Sequence, residues 1–353
     1  MRAWGRIGVT ALLALWLAGC QSTAYLAHVA HGQWQMVSQR QSVERLQNNP
    51  DTPADLKRRL EALQRIRTFA GTLGLPVKGQ FDTYVDIRRD YALWSVSATP
   101  ELSLQAKSWC YWVVGCLAFR NYFDEAKAEA FAAELRGQGY DTYVGKVAAY
   151  STVGWFRDSI LSSTIRKREA ELAELVFHEL AHQVVYAPGD PVFNESFAEV
   201  VAHEGLKRYL VSHPEDLERI LLRQKRYSEF AQLVLAYRAQ LQSLYQSPLT
   251  EEEKRQRKMA ILSSLREAYQ VMKATRWDGY AAYDAWFADL NNARLNSVAV
   301  YNASIPALEA ILAAGGNDLP AFYTRCRALA GLDKAARDRI LQQSGPTVEL
   351  LHD

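Results

Sequence analysis

His178-Glu179-Leu180-Ala181-His182, followed by Asn194-Glu195-Ser196-Phe197-Ala198-Glu199, restricts the folds open to this chain more than any other feature. On a helix, residues four apart project from one face, so the imidazoles of His178 and His182 can reach one point. The segment has helical periodicity. Leu172, Leu175, Val176, Leu180, Val184 and Val185 form an apolar stripe, and Glu171, Glu174, His178 and His182 fall on another side. Ala187-Pro188-Gly189-Asp190-Pro191 is a dense turn signal that ends the helix and lets the chain reverse. A second helix is predicted to open with Asn194 as its N-cap and Glu195 in its first turn; Glu199 and His203 follow at steps of four. The fold must therefore set two consecutive helices side by side.

Two histidines and a carboxylate make the donor set of a catalytic zinc site, which keeps three protein ligands and leaves a fourth position to water. His178, His182 and Glu195 are the predicted ligands. Glu179 lies beside them, placed to take a proton from the attacking water. A lone buried histidine is an ordinary core residue, but two flanking a glutamate on an otherwise apolar helix are hard to explain that way. Glu195 also suits a helix N-terminus simply as favourable charge. Glu199 can exchange roles with it, one ligating and the other supporting. His203 reads as a surface or supporting histidine, and becomes a ligand candidate if Glu195 is not one.

HELAH followed by NESFAE resembles the gluzincin peptidases, particularly the aminopeptidase-N type, whose signature is HExxH and then NExFAE. The resemblance implies zinc on His178, His182 and Glu195, with Glu179 as general base. Thermolysin-like relatives place a carboxylate four residues after the ligand glutamate, where it orients the first zinc histidine; Glu199 matches that position. Only twelve residues separate His182 from Glu195, fewer than in either family, so the connecting loop must be tighter. Arg120-Asn121-Tyr122-Phe123, Ala149 to Phe156 and Phe177 to Gln183, taken with the N-terminus described below, resemble a bacterial lipoprotein family of predicted aminopeptidases.

Peptide hydrolysis also needs a wall for the substrate and a donor for the oxyanion. Tyr143 to Ser151 is the strand candidate nearest the motif, and an edge strand there would let an extended peptide pair with its free backbone groups. Its continuation Tyr150-Ser151-Thr152 is the predicted cleft lining; the competing reading is an ordinary core strand. Tyr301 ends an apolar run amid polar residues and is the predicted oxyanion donor.

Arg2 and Arg6 precede the apolar run Ile7 to Ala18, which is too short to span a bilayer comfortably and reads as a signal-peptide core. Leu17-Ala18-Gly19-Cys20 follows, and is similar to the lipoprotein box, in which the cysteine is acylated after cleavage. Gln21 rather than Asp after Cys20 resembles outer-membrane sorting. Residues 1–19 are thus the expected signal peptide, and 20–353 a chain anchored through Cys20 and facing the periplasm. Without Arg2 and Arg6, basic and acidic residues balance, and no basic run follows the anchor, so nothing points to nucleic acid. In an oxidising periplasm Cys110 and Cys116 either close a small disulfide loop or remain two buried thiols; Cys326 is left over and expected to be buried.

The organisation is predominantly helical α+β. Residues 21–75 read as a tether and two helices, and residues 80–150 carry strand signals expected to form one small mixed sheet with the helix Asp124 to Arg136. A long helical hairpin from 204 to about 274 breaks at Ser247-Pro248-Leu249-Thr250, and its charged faces read as solvated. One metallopeptidase domain is expected, with a catalytic core at about 80–205 and a helical part at about 206–345. The predicted activity is zinc-dependent peptide-bond hydrolysis, as an aminopeptidase. The alternatives are an endopeptidase, a cell-wall amidase, or a non-catalytic zinc-binding envelope lipoprotein. A purely structural zinc would have four protein ligands and no use for Glu179.

Overall fold

A computed structural model of the chain describes residues 25–111, 115–148, 158–302 and 304–344, with side chains omitted for 300–302. Cys20, Tyr150, Ser151 and Thr152 lie outside these residues, and Tyr301 is placed only as backbone. The chain opens with a helix over residues 25–38 (α1). β1 (Gln41–Ser42), α2 (Val43–Asn48) and α3 (Ala54–Thr72) follow, so this region holds three helices where the sequence suggested two. Pro53 and Asp55 open α3 as expected.

The strand region differs from the expected single mixed sheet. β2 (Thr83–Val85), β3 (Leu93–Pro100), β4 (Trp109–Tyr111), β5 (Gly115–Leu117), β6 (Arg120–Tyr122), β7 (Tyr140–Val147) and β8 (Ile160–Leu161) form three small sheets. β2 pairs antiparallel with β1 and parallel with β8. β3 lies between β6 and β7, antiparallel to both, so β7 is an edge strand within that sheet. The break between the first two sheets falls at Arg88, whose φ of 52° turns the chain away from β2 before β3 begins. β4 and β5 pair antiparallel with each other, with Cys110 and Cys116 directly opposite and disulfide-bonded. α4 (Glu125–Gly137) is capped by the Asp124 carboxylate, which accepts from the Lys127 amide, and packs on β3 and β7.

α5 (Ser162–Ile165), α6 (Glu169–Ala181) and α7 (Pro191–Tyr209) bring the chain to the histidine motif. α8 (Pro214–Gln246) and α9 (Glu251–Arg276) form the long hairpin, and Thr250 and Glu253 make a capping box at the start of α9. α10 (Asp284–Ala288), α11 (Asn292–Asn302), α12 (Ile305–Ala314), α13 (Leu319–Ala330) and α14 (Lys334–Ser344) complete the described chain. The principal core joins α3, α6, α7 and α12 to α14 through Leu63, Ile66, Phe177, Leu180, Phe197, Leu308 and Phe322. Phe197 stacks on Phe322 at 5.6 Å. α7 comes so close to α3 and α6 that a Cβ on Gly205 would lie 2.8 Å from Leu73 Cδ1 and 3.0 Å from Phe177 Cδ2, so any larger residue there would have to displace those side chains. A second core sits between α8, α9 and the following segment, where Tyr269 stacks on Phe287 at 3.9 Å. α11 packs against α7, α8 and β7, joining the hairpin to the helix pair α6–α7. Cys326 is buried and reduced, and burial pushes its thiol pKa up to about 12.

Candidate active site

α6 is helical because its apolar stripe packs into the principal core: Leu172, Val176 and Leu180 are buried, with Leu175 and Val184 partly so. It ends earlier than the sequence suggested. Ala181 is its last residue and His182 its C-cap, and the amides of Gln183 and Val184 turn back to Leu180 and Ala181 in a tightened last turn. The second helix begins earlier than predicted. Asp190 is the N-cap, accepting from the Phe193 amide, and Pro191 takes the first helical position, where a missing N–H costs nothing. Glu195 therefore lies in the second turn. Asn194 is not a cap but a buried clasp: its amide accepts from Ala187 N at 2.7 Å and donates to Ala187 O at 2.9 Å, tying the tight connecting loop to α7. The sequence carries no local signal for that pairing.

The two helices run antiparallel, so His178 and His182 meet Glu195, and His178 also meets Glu199. His178 Nε2 lies 3.3 Å from Glu195 Oε2, and His182 Nε2 lies 3.7 Å from Glu195 Oε1. The donor atoms of this trio all fall within 4.8 Å of one another. A tetrahedral ion with ligands at 2.0–2.1 Å has edges of about 3.4 Å, so the three groups fit one metal ion with little movement. The other nitrogen of His178, Nδ1, donates to Glu199 Oε2 at 3.2 Å, and His203 Nε2 donates to Glu199 Oε1 at 2.9 Å. That fixes the His178 ring with Nε2 toward Glu195. Glu174, Glu199 and His203 form a second cluster of possible ligands among the described residues, but Glu174 is ion-paired with Arg223 and both Glu199 oxygens face histidines.

The local fields follow from burial. Burial opposes charge on His178, but the hydrogen bonds it donates to Glu195 and Glu199 outweigh it and raise its pKa well above the usual imidazole range. Burial and the neighbouring His178 push His182 down to about 4. Burial, reinforced by Asp158 and Glu195, lifts Glu179 to about 7, while His178 pulls the other way. Glu195 and Glu199 are both held below the ordinary carboxylate range: burial works against the charge, and the histidines they contact overcome it.

His178, Glu179, Glu199 and His203 open onto a cleft of about 400 Å³. Its near wall is α6, with Glu171, Glu174 and Leu175; its far wall comes from α8, with Arg223, Gln224 and Tyr227, and from Tyr283 just before α10. Sequence reasoning missed this far wall, because Arg223, Gln224 and Tyr227 sit on a hairpin whose faces read as solvated, and Tyr283 lies in the segment after it. The predicted cleft residues Tyr150, Ser151 and Thr152 lie outside the described residues. β7 stops at Val147, short of them.

A protein-family model described as Putative aminopeptidase matches residues 24–341. The chain belongs to this aminopeptidase family. The match takes in both α6 and α7, the cleft and the helices through α13, so peptidase activity is the function the family suggests. No curated protein and no solved structure matches the chain.

Proposed function

We propose that the chain is a zinc-dependent aminopeptidase of the bacterial envelope, anchored through acylated Cys20 at the outer membrane and facing the periplasm. The observation that carries the catalytic part is the mutual reach of His178, His182 and Glu195, with His178 and the neighbouring Glu179 lining a cleft. Zinc held by those three residues would supply Lewis acidity, lowering the pKa of water and polarising the scissile carbonyl.

The remaining roles belong to the chain's own side chains. Glu179 takes the proton of the attacking water and passes it to the leaving amine. Glu199, held in turn by His203, orients the His178 ring. Glu171 and Glu174 lie on the His178 side of α6, about 10 and 6 Å along the helix from it. They pair with Arg168 and Arg223, and are the groups proposed to take the ammonium of a free peptide N-terminus in place of or beside those partners. The sequence alone offered no candidate for that role. For the oxyanion donor, Tyr227 and Tyr283, which line the cleft, are proposed as alternatives to the Tyr301 named from sequence; burial raises the pKa of Tyr283, which keeps its phenol protonated and able to donate.

A library of free and N-blocked peptides tests the reading. The zinc-loaded protein is expected to cleave the free-amine members, lose that activity to a chelator and regain it with zinc. Equal cleavage of blocked peptides would make it an endopeptidase or amidase. Zinc bound without any cleavage would move it to the non-catalytic class. Glu199→Ala is expected to weaken zinc affinity about 10–100-fold, read by competition with a coloured chelator. An unchanged affinity would remove Glu199 from the support of His178.

A further inference from the structure

The helix α1 has two faces, and neither carries a formal charge. No Asp, Glu, Lys or Arg occurs between Arg6 and Arg40. The inner face is held firmly. Tyr25 packs on Tyr111 at 5.7 Å and Tyr122 at 5.5 Å, and its hydroxyl accepts from the Asn121 amide. His28 Nε2 accepts from the Phe123 amide, Gly32 lies against the Phe123 ring, and Met36 is buried. The outer face shows Leu26, Trp34 and Val37, which are 45, 65 and 40 % exposed and lie within about a quarter turn of one another on the helix. A solvent-facing helix surface ordinarily carries charge. Beside Tyr111, the β4–β5 region adds exposed Phe119 in a stretch with no charged residue between Lys107 and Arg120.

The chain before α1 sets where this face can be. Five residues from Cys20 to Tyr25 span at most about 17 Å, and the headgroup layer on each side of a bilayer is about 5–8 Å deep. With Cys20 acylated, α1 cannot be held far from the membrane surface. Tryptophan and aliphatic side chains on an uncharged helix favour the boundary between headgroups and acyl chains. Among the described residues no helix is long and apolar enough to cross a membrane. We infer that the outer face of α1, through Leu26, Trp34 and Val37, docks on the phospholipid surface and fixes the enzyme's orientation there. This rests on the anchored part of the proposed function and is independent of its peptidase part.

The test uses the full chain reconstituted into zwitterionic phospholipid vesicles. Trp34→Cys or, as a control on α9, Met259→Cys is labelled with a polarity-sensitive fluorophore; Cys110 and Cys116 are bonded and Cys326 is buried, so one site reacts. The Trp34 label is expected to shift to the blue and to be quenched by shallow nitroxide lipids, while the Met259 label stays aqueous. A Trp34 label as aqueous as the control, in protein that floats with the vesicles, overturns the docking and leaves the anchor standing. A blue shift without lipid quenching assigns the face to a protein partner or second copy and also overturns it. Flotation, and its loss in Cys20→Ala, reports the anchor by itself; a wild-type chain that does not float loses anchor and docking together.

Discussion

Glu179→Gln is expected to lower peptide turnover by about 10²–10⁴-fold while leaving bound zinc unchanged. The substitution keeps the size and shape of the side chain and removes only its capacity to accept a proton. Glu179 sits next to His178 in sequence, yet the donor atoms that face one another belong to His178, His182 and Glu195. Its carboxyl is lifted to about 7 by burial, with Asp158 and Glu195 adding to the effect. The measurement is kcat together with metal content on the same preparation. Full metal with turnover within tenfold of the parent would sink the general-base role. Lost metal would show instead that Glu179 holds the site together.

What the sequence made legible is what period and spacing encode. The four-residue step of His178, His182 and of Glu195, Glu199 names the face of each helix, and the apolar stripe of α6 says which side is buried. Thr250 and Glu253, and Asp124 before α4, are local signals, and the helices begin there. Asn194 was misread because an asparagine before a helical pattern is a good cap, whereas here its amide pairs with Ala187 across a loop. Asp190-Pro191 was an equally local cap signal, and it was absorbed into the turn. The strands Thr83–Val85 and Leu93–Pro100 were foreseeable as extended segments, but not their separation into different sheets, which hangs on one turn at Arg88. Arg223, Tyr227 and Tyr283 could not be assigned to the cleft, because only the tertiary approach of α8 and of the segment before α10 to α6 brings them there.

Arg337→Met is expected to destabilise the fold by about 3–5 kcal/mol, the cost of stripping one partner from a buried ion pair. Arg337 and Asp190 have side chains only 3 and 2 % exposed. The guanidinium donates from Nε at 2.9 Å and lies with Nη2 at 2.8 Å from the same Asp190 oxygen, and it sits 5.2 Å from the centre of the Phe193 ring. Its Nη1 reaches the carbonyls of Leu329, Ala330 and Leu332, where α13 ends. Removing it leaves a buried carboxylate short of its partner and takes a donor from the carbonyls of Ala330 and Leu332, while that of Leu329 keeps the Leu332 amide. Lys334, 3.7 Å from Asp190 but more than half exposed, offsets only part of that charge. Arg337→Met combined with Asp190→Asn removes charge and counter-charge together, so the pair should cost less than the sum of the single changes. Denaturant unfolding of the four proteins measures this directly, and a loss below about 1 kcal/mol for Arg337→Met would deny the pair its structural role. Asp190 caps α7 five residues before Glu195. The same substitution should therefore also weaken zinc binding at the proposed site, although Arg337 itself is on α14 and contributes no donor to the trio.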